Sequence, residues 1–221
     1  MNSVTAPVPK APFAVLRGPF RDMANRALLG QAAPRAQERV WIDPSHIARI
    51  YTRNPLETPD FKRQHSGMVI DGDWDMHTEP LDTSWKIAAC LARFRDGTSW
   101  DNTGVYERMS DIIAKRDGFD SCRTHEDVKA RYIGIDALFY DIRETGYRDA
   151  TQWRWGTPRI PEGVFIHIDR DGEPIFGAIG NHRMGIARAL GLTRIPAQLG
   201  VVHPQAVVTN ALQRYRDGAP C

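Results

Sequence analysis

The residues best suited to chemistry in this chain stand together at Gly180-Asn181-His182-Arg183. A Gly-rich break after Ile175 and Phe176 gives way there to Met184, Ile186, Ala187 and Leu190, apolar positions at helical period that end at Gly191. The tetrad therefore opens a helix, where unpaired amides and the positive end of the helix dipole attract anions. An imidazole and a guanidinium add donors suited to phosphate oxygens. Phosphate binding by Gly180, Asn181, His182 and Arg183 is one reading; capping and solvation of a surface helix by His182 and Arg183 is the other. Arg188, about a turn and a half further on, assists only by turning back toward the loop. Glu162 enters the strand before the motif and is the candidate general base, with His182 as the second catalytic candidate; the bland alternative for Glu162 is a solvent-facing strand start.

Two further groups could do chemistry. Asp71, Asp73 and Asp75 alternate after the short apolar run Met68-Val69-Ile70. On an extended segment they project to one side, a geometry able to hold magnesium; otherwise they are solvated turn residues. Trp153 and Trp155 either stack on a nucleobase or pack.

The elements that position the tetrad read as strand, turn, strand, loop and helix. Val164, Ile166 and Ile168 alternate with Phe165 and His167 before an Asp171-Gly172 turn of hairpin type, and Ile195-Pro196 begins a buried strand after the helix. This frame, from about Ile160 to His203, resembles the core of the ParB and sulfiredoxin superfamily. The resemblance implies nucleotide phosphate contacts from Gly180, His182 and Arg183, and a nucleoside triphosphate with Mg2+ as cofactor. Asn181 stands where sulfiredoxins place their reactive cysteine, so sulfinic-acid reduction is not implied. About twenty residues follow His203, too few for the helix-turn-helix domain of partition proteins. Ile179 occupies the position of an acidic residue in the free-serine kinases of the superfamily, so a kinase base has to come from elsewhere. Gly72-Asp73-Trp74-Asp75, Arg93-Phe94, Gly97, Trp100 and Tyr106 are also similar to a group of bacterial and archaeal ParB-like proteins.

With 221 residues the chain buries one sizeable core, and 29 basic against 27 acidic residues give no global field for nucleic acid or membrane. Cys90, Cys122 and Cys221 are odd in number and unpaired in spacing, which fits a reducing cytoplasm better than a disulfide framework or a zinc site. The N-terminus lacks a continuous apolar leader run and no stretch approaches a membrane span.

In chain order, residues 1–39 are Pro-, Ala- and Arg-rich and read as an extended or partly mobile arm with a short helix from Asp22 to Leu29. Val40 to Ile42 reads as a strand, and Pro44 to Tyr51 as a helical turn. Three amphipathic helices follow. The first carries Ile87, Cys90, Leu91 and Phe94; the second Val105, Met109, Ile112 and Ile113; the third, behind a Thr124/Asp127 capping box, Val128, Tyr132, Ile135, Phe139 and Ile142. His203 ends the strand after the core helix, facing the cleft, and a terminal helix spans Gln205 to Arg216.

The expected architecture is α/β (α+β): a small mixed sheet from residues near 40, 68, 164, 174 and 196, with a helical block 83–146 and a phosphate-loop core 160–203 in one domain, 40–221. The expected activity is phosphate transfer or hydrolysis of a nucleoside triphosphate, with a small-molecule acceptor. The alternative is a non-catalytic regulatory module, switched by nucleotide or binding DNA through Arg183, Arg188 and Arg194. A homodimer is compatible with either, and no membrane is expected.

Overall fold

The computed structural model describes residues 14–55, 57–148, 152–154, 157–159 and 163–216, with backbone alone at 14–17, 152–154 and 157–159. Its helices are α1 (Ala14–Leu29), α2 (Trp85–Phe94), α3 (Val105–Lys115), α4 (His125–Thr145), α5 (Asn181–Ala189), α6 (Pro204–Val208) and α7 (Gln213–Arg216). Its strands are β1 (Arg39–Ile42), β2 (Arg49–Tyr51), β3 (Thr78–Pro80), β4 (Gln152–Arg154), β5 (Thr157–Arg159), β6 (Val164–Ile168), β7 (Pro174–Phe176) and β8 (Ile195–Val202). The fold is α/β, and the chain forms two compact units.

The first unit comprises Met1–Leu81, Asp149–Gly180 and Thr193–Cys221. Its mixed six-stranded sheet runs β1-β8-β6-β7-β2-β3. β8 is parallel to β6 and β7 to β2, while β1–β8, β6–β7 and β2–β3 are antiparallel. β4 and β5 pair separately. Strands near 40, 164, 174 and 196 stand where the sequence puts them. Near residue 68 there is only an isolated bridge, Val69 to Val202, and four strands, β2 to β5, were not foreseen. Pro44–His46 is a single 3-10 turn capped by Asp43, after which the chain extends into β2 instead of continuing as a helix. The first helix begins at Ala14, well before Asp22, and carries Pro19 inside it. The terminal helix is broken in two, with Asn210 at φ 56° between the pieces. Of the arm expected over residues 1–39, residues 1–13 lie outside the described residues, and 14–32 are helical rather than extended.

β6 is buried along its whole length rather than on alternate residues, because it is a central strand with β8 and β7 on its two edges. His167 is therefore inside the core, fully buried. Tyr51, Phe61, Trp74 and Phe165 surround its ring edge-on, with centroids 5.5, 5.2, 5.8 and 5.0 Å away. The Val201 amide donates to Nδ1 at 3.1 Å, which assigns the proton to Nε2, an atom with no hydrogen-bond partner. Burial, with a smaller contribution from the charge of His65, pushes the imidazole down to about 3.

The second unit comprises Asp82–Arg148 and Asn181–Leu192. The three amphipathic helices appear as α2, α3 and α4, and all five expected inner residues of α4 are buried. The capping box forms in both directions: the Asp127 amide donates to Thr124 Oγ1 at 3.1 Å and the Thr124 amide to Asp127 Oδ2 at 2.9 Å. The core joins Cys90, Trp100, Met109, Tyr132 and Phe139 to Ile186 of α5. Phe94 stacks on Phe139 at 4.1 Å, and Arg93 grips Asp136 with two bonds of 3.1 Å while Trp100 Nε1 donates to the same carboxylate. No described helix is long and apolar enough to cross a membrane.

Candidate functional site

The loop before α5 is pinned to β6 by backbone bonds: the Phe165 amide donates to Ile179 O at 3.1 Å and the Gly177 amide to Phe165 O at 2.8 Å. Gly180 ends this loop at φ 90°, and a Cβ there would lie 3.0 Å from both Gly163 O and Val164 Cα. Only glycine meets both demands, so Gly180 fixes the close approach of this loop to the start of β6.

Within the second unit α5 starts beside α2. Ser84, the residue before α2, makes no cap bond with its side chain; its hydroxyl donates to Asn181 Oδ1 at 3.0 Å. Further along, a Cβ on Gly185 would sit 2.6 Å from Cys90 Cβ, so the two helices touch through a glycine. Neither helix carries an acidic residue in its first turn. Two helix starts held side by side, with no acidic residue of their own in the first turn, concentrate unpaired amides and positive potential in one place.

The side chains nearby strengthen that bias. Lys86, in the first turn of α2, bonds to Asp120, and Arg131 donates to the same residue's carbonyl at 2.9 Å and to its carboxylate at 3.3 Å. Burial raises the Asp120 carboxyl, but the Lys86 bond and the charges of Lys86 and Arg131 outweigh it and hold the group below its ordinary range. Two cations thus share one carboxylate.

His182 lies against this group and not in solvent: it is 8% exposed, with the Tyr132 ring edge-on at 5.7 Å. Burial, then the charges of Arg131 and Lys86, push its imidazole down to about 4, so it is neutral at pH 7. Its Nε2 has no hydrogen-bond partner, and Tyr132 Oη and Arg131 Nε are likewise buried and unpartnered. Three orphaned polar atoms in one neighbourhood mark a place suited to an acceptor-rich group. Surface capping by His182 is ruled out by its burial. Neutral, the ring offers one N–H or one lone pair rather than a charge.

Of the other expected residues, Arg183 is half-buried with its guanidinium 6.0 Å from the centre of the Tyr147 ring, and Arg188 is in the last turn of α5. Asn181, Arg183 and Arg188 all have partners within the chain. Glu162 and Trp155 lie outside the described residues, as does the side chain of Trp153. Ser84, Lys86, Asp120 and Arg131 escaped the sequence reading, and Tyr132 was read only as a core position of the third helix; the one available signal was Lys86, a lone cation at the start of an amphipathic helix.

The acidic triplet is not on an extended segment. Trp74–Met76 is a 3-10 turn, and Asp75 is buried. Asp75 accepts from Arg170 at the amide (3.0 Å), Nε (2.8 Å) and Nη2 (2.6 Å), and Asp73 takes a further bond from Nη2 at 2.8 Å. Asp71 lies 3.6 Å from Nε2 of His203, which is buried and donates to Gly72 O at 3.2 Å. Asp73 and Asp75 are thus spent on an arginine of the same unit. Among the described residues no group of three or more His, Cys, Asp or Glu side chains could hold a metal ion, so the triplet does not fit a protein-held magnesium.

No protein-family model, no curated protein and no solved structure matches this chain.

Proposed function

We propose that the protein binds a nucleoside triphosphate by its phosphates at the start of α5 and transfers or hydrolyses the terminal phosphate. The observation that carries this reading is the pairing of two carboxylate-free helix starts by the Ser84 to Asn181 bond, beside the orphaned Nε2 of His182. The resemblance to the ParB and sulfiredoxin superfamily points to the same residues. In this reading the amides of Gly180 and Asn181 meet phosphate oxygens, Arg183 supplies the charge, and neutral His182 supplies one hydrogen bond. Arg188 sits some 7–8 Å along the helix axis from Arg183 and reaches the site only by folding back. Magnesium rides on the phosphates, as this ion usually does.

A second reading, a nucleotide-switched module without catalysis, is favoured by one observation. Asp120 is the carboxylate beside His182, and its bonds to Lys86 and Arg131 leave it unfit as a base, so transfer to an acceptor depends on Glu162. The DNA version of that reading is weaker, since Arg194 is stacked on the Trp41 ring at 4.3 Å.

Calorimetric titration with ATP, CTP and ADP, each with magnesium, tests binding, and release of inorganic phosphate separates the two readings. Arg183→Ala is expected to weaken affinity by about ten- to a hundredfold, the worth of one charge-assisted phosphate contact. Arg183→Lys recovers part of it. Because a cation at a helix start opposes the dipole, the alanine variant should melt at the parent temperature or slightly above. Failure of all three nucleotides to bind removes the proposal, and a much earlier melt makes Arg183 structural.

A further inference from the structure

Arg131 is poorly matched to the carboxylate it serves. Arg93, in the same unit, grips Asp136 with the full guanidinium fork, Nε and Nη2 each at 3.1 Å. Arg131 gives the Asp120 carboxylate only Nη2, at 3.3 Å, turns Nη1 to the Asp120 carbonyl and leaves Nε buried with no partner. Tyr132 Oη and His182 Nε2, both in buried side chains, are the other unpartnered atoms of this neighbourhood, and the charges of Arg131 and Lys86 both act on the His182 ring. One carboxylate, with a single charge for two cations, leaves these groups unfilled. Lys86 stands two residues after Ser84, whose hydroxyl bonds Asn181 at the start of α5, so the cluster adjoins the paired helix starts.

Neither cation depends on that carboxylate for its place. The largely buried Lys86 ammonium sits over the Phe119 ring at 4.6 Å and the Trp85 ring at 5.3 Å, and Arg131 is held by a main-chain carbonyl. Asp120 is the movable member. Its side chain is 27% exposed, at the corner of a two-residue turn with φ 52° there and 65° at Ser121, which the Phe119 and Cys122 backbones close with two bonds of 2.9 Å. Rotation about the Cα–Cβ bond takes the carboxylate to water without disturbing the turn. A terminal phosphate brings roughly two negative charges and three acceptor oxygens in its stead. We propose that Asp120 is a built-in stand-in for the ligand: in the loaded protein its carboxylate swings out, and the terminal phosphates of the nucleotide take over Lys86 and Arg131. The proposal rests on phosphate binding at the start of α5. To that site it adds two cations and an autoinhibitory carboxylate that sets the affinity.

Calorimetric titration of the full chain with magnesium ATP, and with magnesium tripolyphosphate, which has the phosphates without the nucleoside, tests this. Asp120→Asn keeps the shape and removes the competing charge, so both ligands should bind about tenfold tighter than to the parent. Lys86→Met keeps the stem over the two rings without the charge, and both should bind about tenfold weaker. In the double variant the gain from Asp120→Asn should shrink, since one of the cations it frees is gone. Without ligand Asp120→Asn should melt earlier than the parent, its two cations having lost their counter-ion. Saturating tripolyphosphate should then raise its melting temperature more than the parent's; a carboxylate with a structural role alone gives the first change without the second. Equal or weaker binding by Asp120→Asn, where the parent binds nucleotide, overturns this inference and leaves the phosphate reading standing. So does a Lys86→Met variant that binds as the parent does, which decides the matter should Asp120→Asn not fold. If the parent binds neither ligand, the phosphate reading falls and this inference with it.

Discussion

Taking the protein from pH 7.5 to pH 5 is expected to remove about 4 kcal/mol of folding stability, about 2 kcal/mol through each of His167 and His182. Both rings are held neutral in the folded state, His167 down to about 3 and His182 down to about 4, against an ordinary value of 6.5. Below pH 6.5 the unfolded chain takes up protons that the folded chain refuses. Stability is therefore complete above that pH and falls as the medium is acidified, His182 ceasing to contribute near pH 4 and His167 near pH 3. His65, lowered by burial and by the charge of Arg21, acts in the same direction. Urea titrations across this range should show a slope near two protons around pH 5.5. His167→Gln or His182→Gln should each remove about one of them, whatever they do to stability at pH 7.5. If both variants keep the parent slope, the buried rings are not its source.

Gly185→Ala should destabilise the protein by about 1–3 kcal/mol, although alanine is the better helix former by about 1 kcal/mol. The new methyl would lie 2.6 Å from Cys90 Cβ and 3.4 Å from Ile87 Cα, the second a backbone atom that cannot step aside. α5 would have to lift from α2, and the Ser84 to Asn181 bond that joins the two helix starts would go with it. Nucleotide affinity should fall together with the melting temperature, in contrast to Arg183→Ala, which should lower affinity alone. The exchange Gly185→Ala with Cys90→Gly moves the methyl from one helix to the other and should recover part of both losses. A melting temperature at or above the parent's for Gly185→Ala alone would show that the seam has slack.

How far the chain could be read follows from where periodicity survives. The stripes of α2, α3 and α4 were legible because each spans several turns, and the Thr124/Asp127 box marked its helix start without ambiguity. β2, at three residues, is too short to show any period, and Pro44 pointed to a helical turn that closes after His46. His167 looked like the polar half of an alternating strand. Alternation tells which side a residue faces, not whether that side is wet, and only the neighbours from residues 51, 61 and 74 make it dry. The burial of His182 was legible after all: it stands four residues before Ile186, on the inner face of α5. Its resemblance to a phosphate-contacting histidine drew attention to its charge and away from that spacing. Lys86, Asp120 and Arg131 could not have been grouped, since only tertiary packing brings residues so far apart in sequence onto one carboxylate.

The second unit is built from two separated stretches, with α5 contributing Ile186 to a core otherwise drawn from residues 89–142. On the ribosome this becomes an interval. The end of α4 at Thr145 leaves the exit tunnel 36 residues (181 − 145) ahead of the start of α5 at Asn181, which at ordinary rates of synthesis is roughly 2–7 s. Throughout that time the side of α2 that will receive Gly185 has nothing against it. Cys90, whose thiol burial pushes up to about 12 in the finished fold, is then open to solvent with a far more ordinary acidity. The nascent chain is thus at its most vulnerable to oxidants and to chaperone capture just before residue 192 emerges, and the docking of one nine-residue helix closes that window.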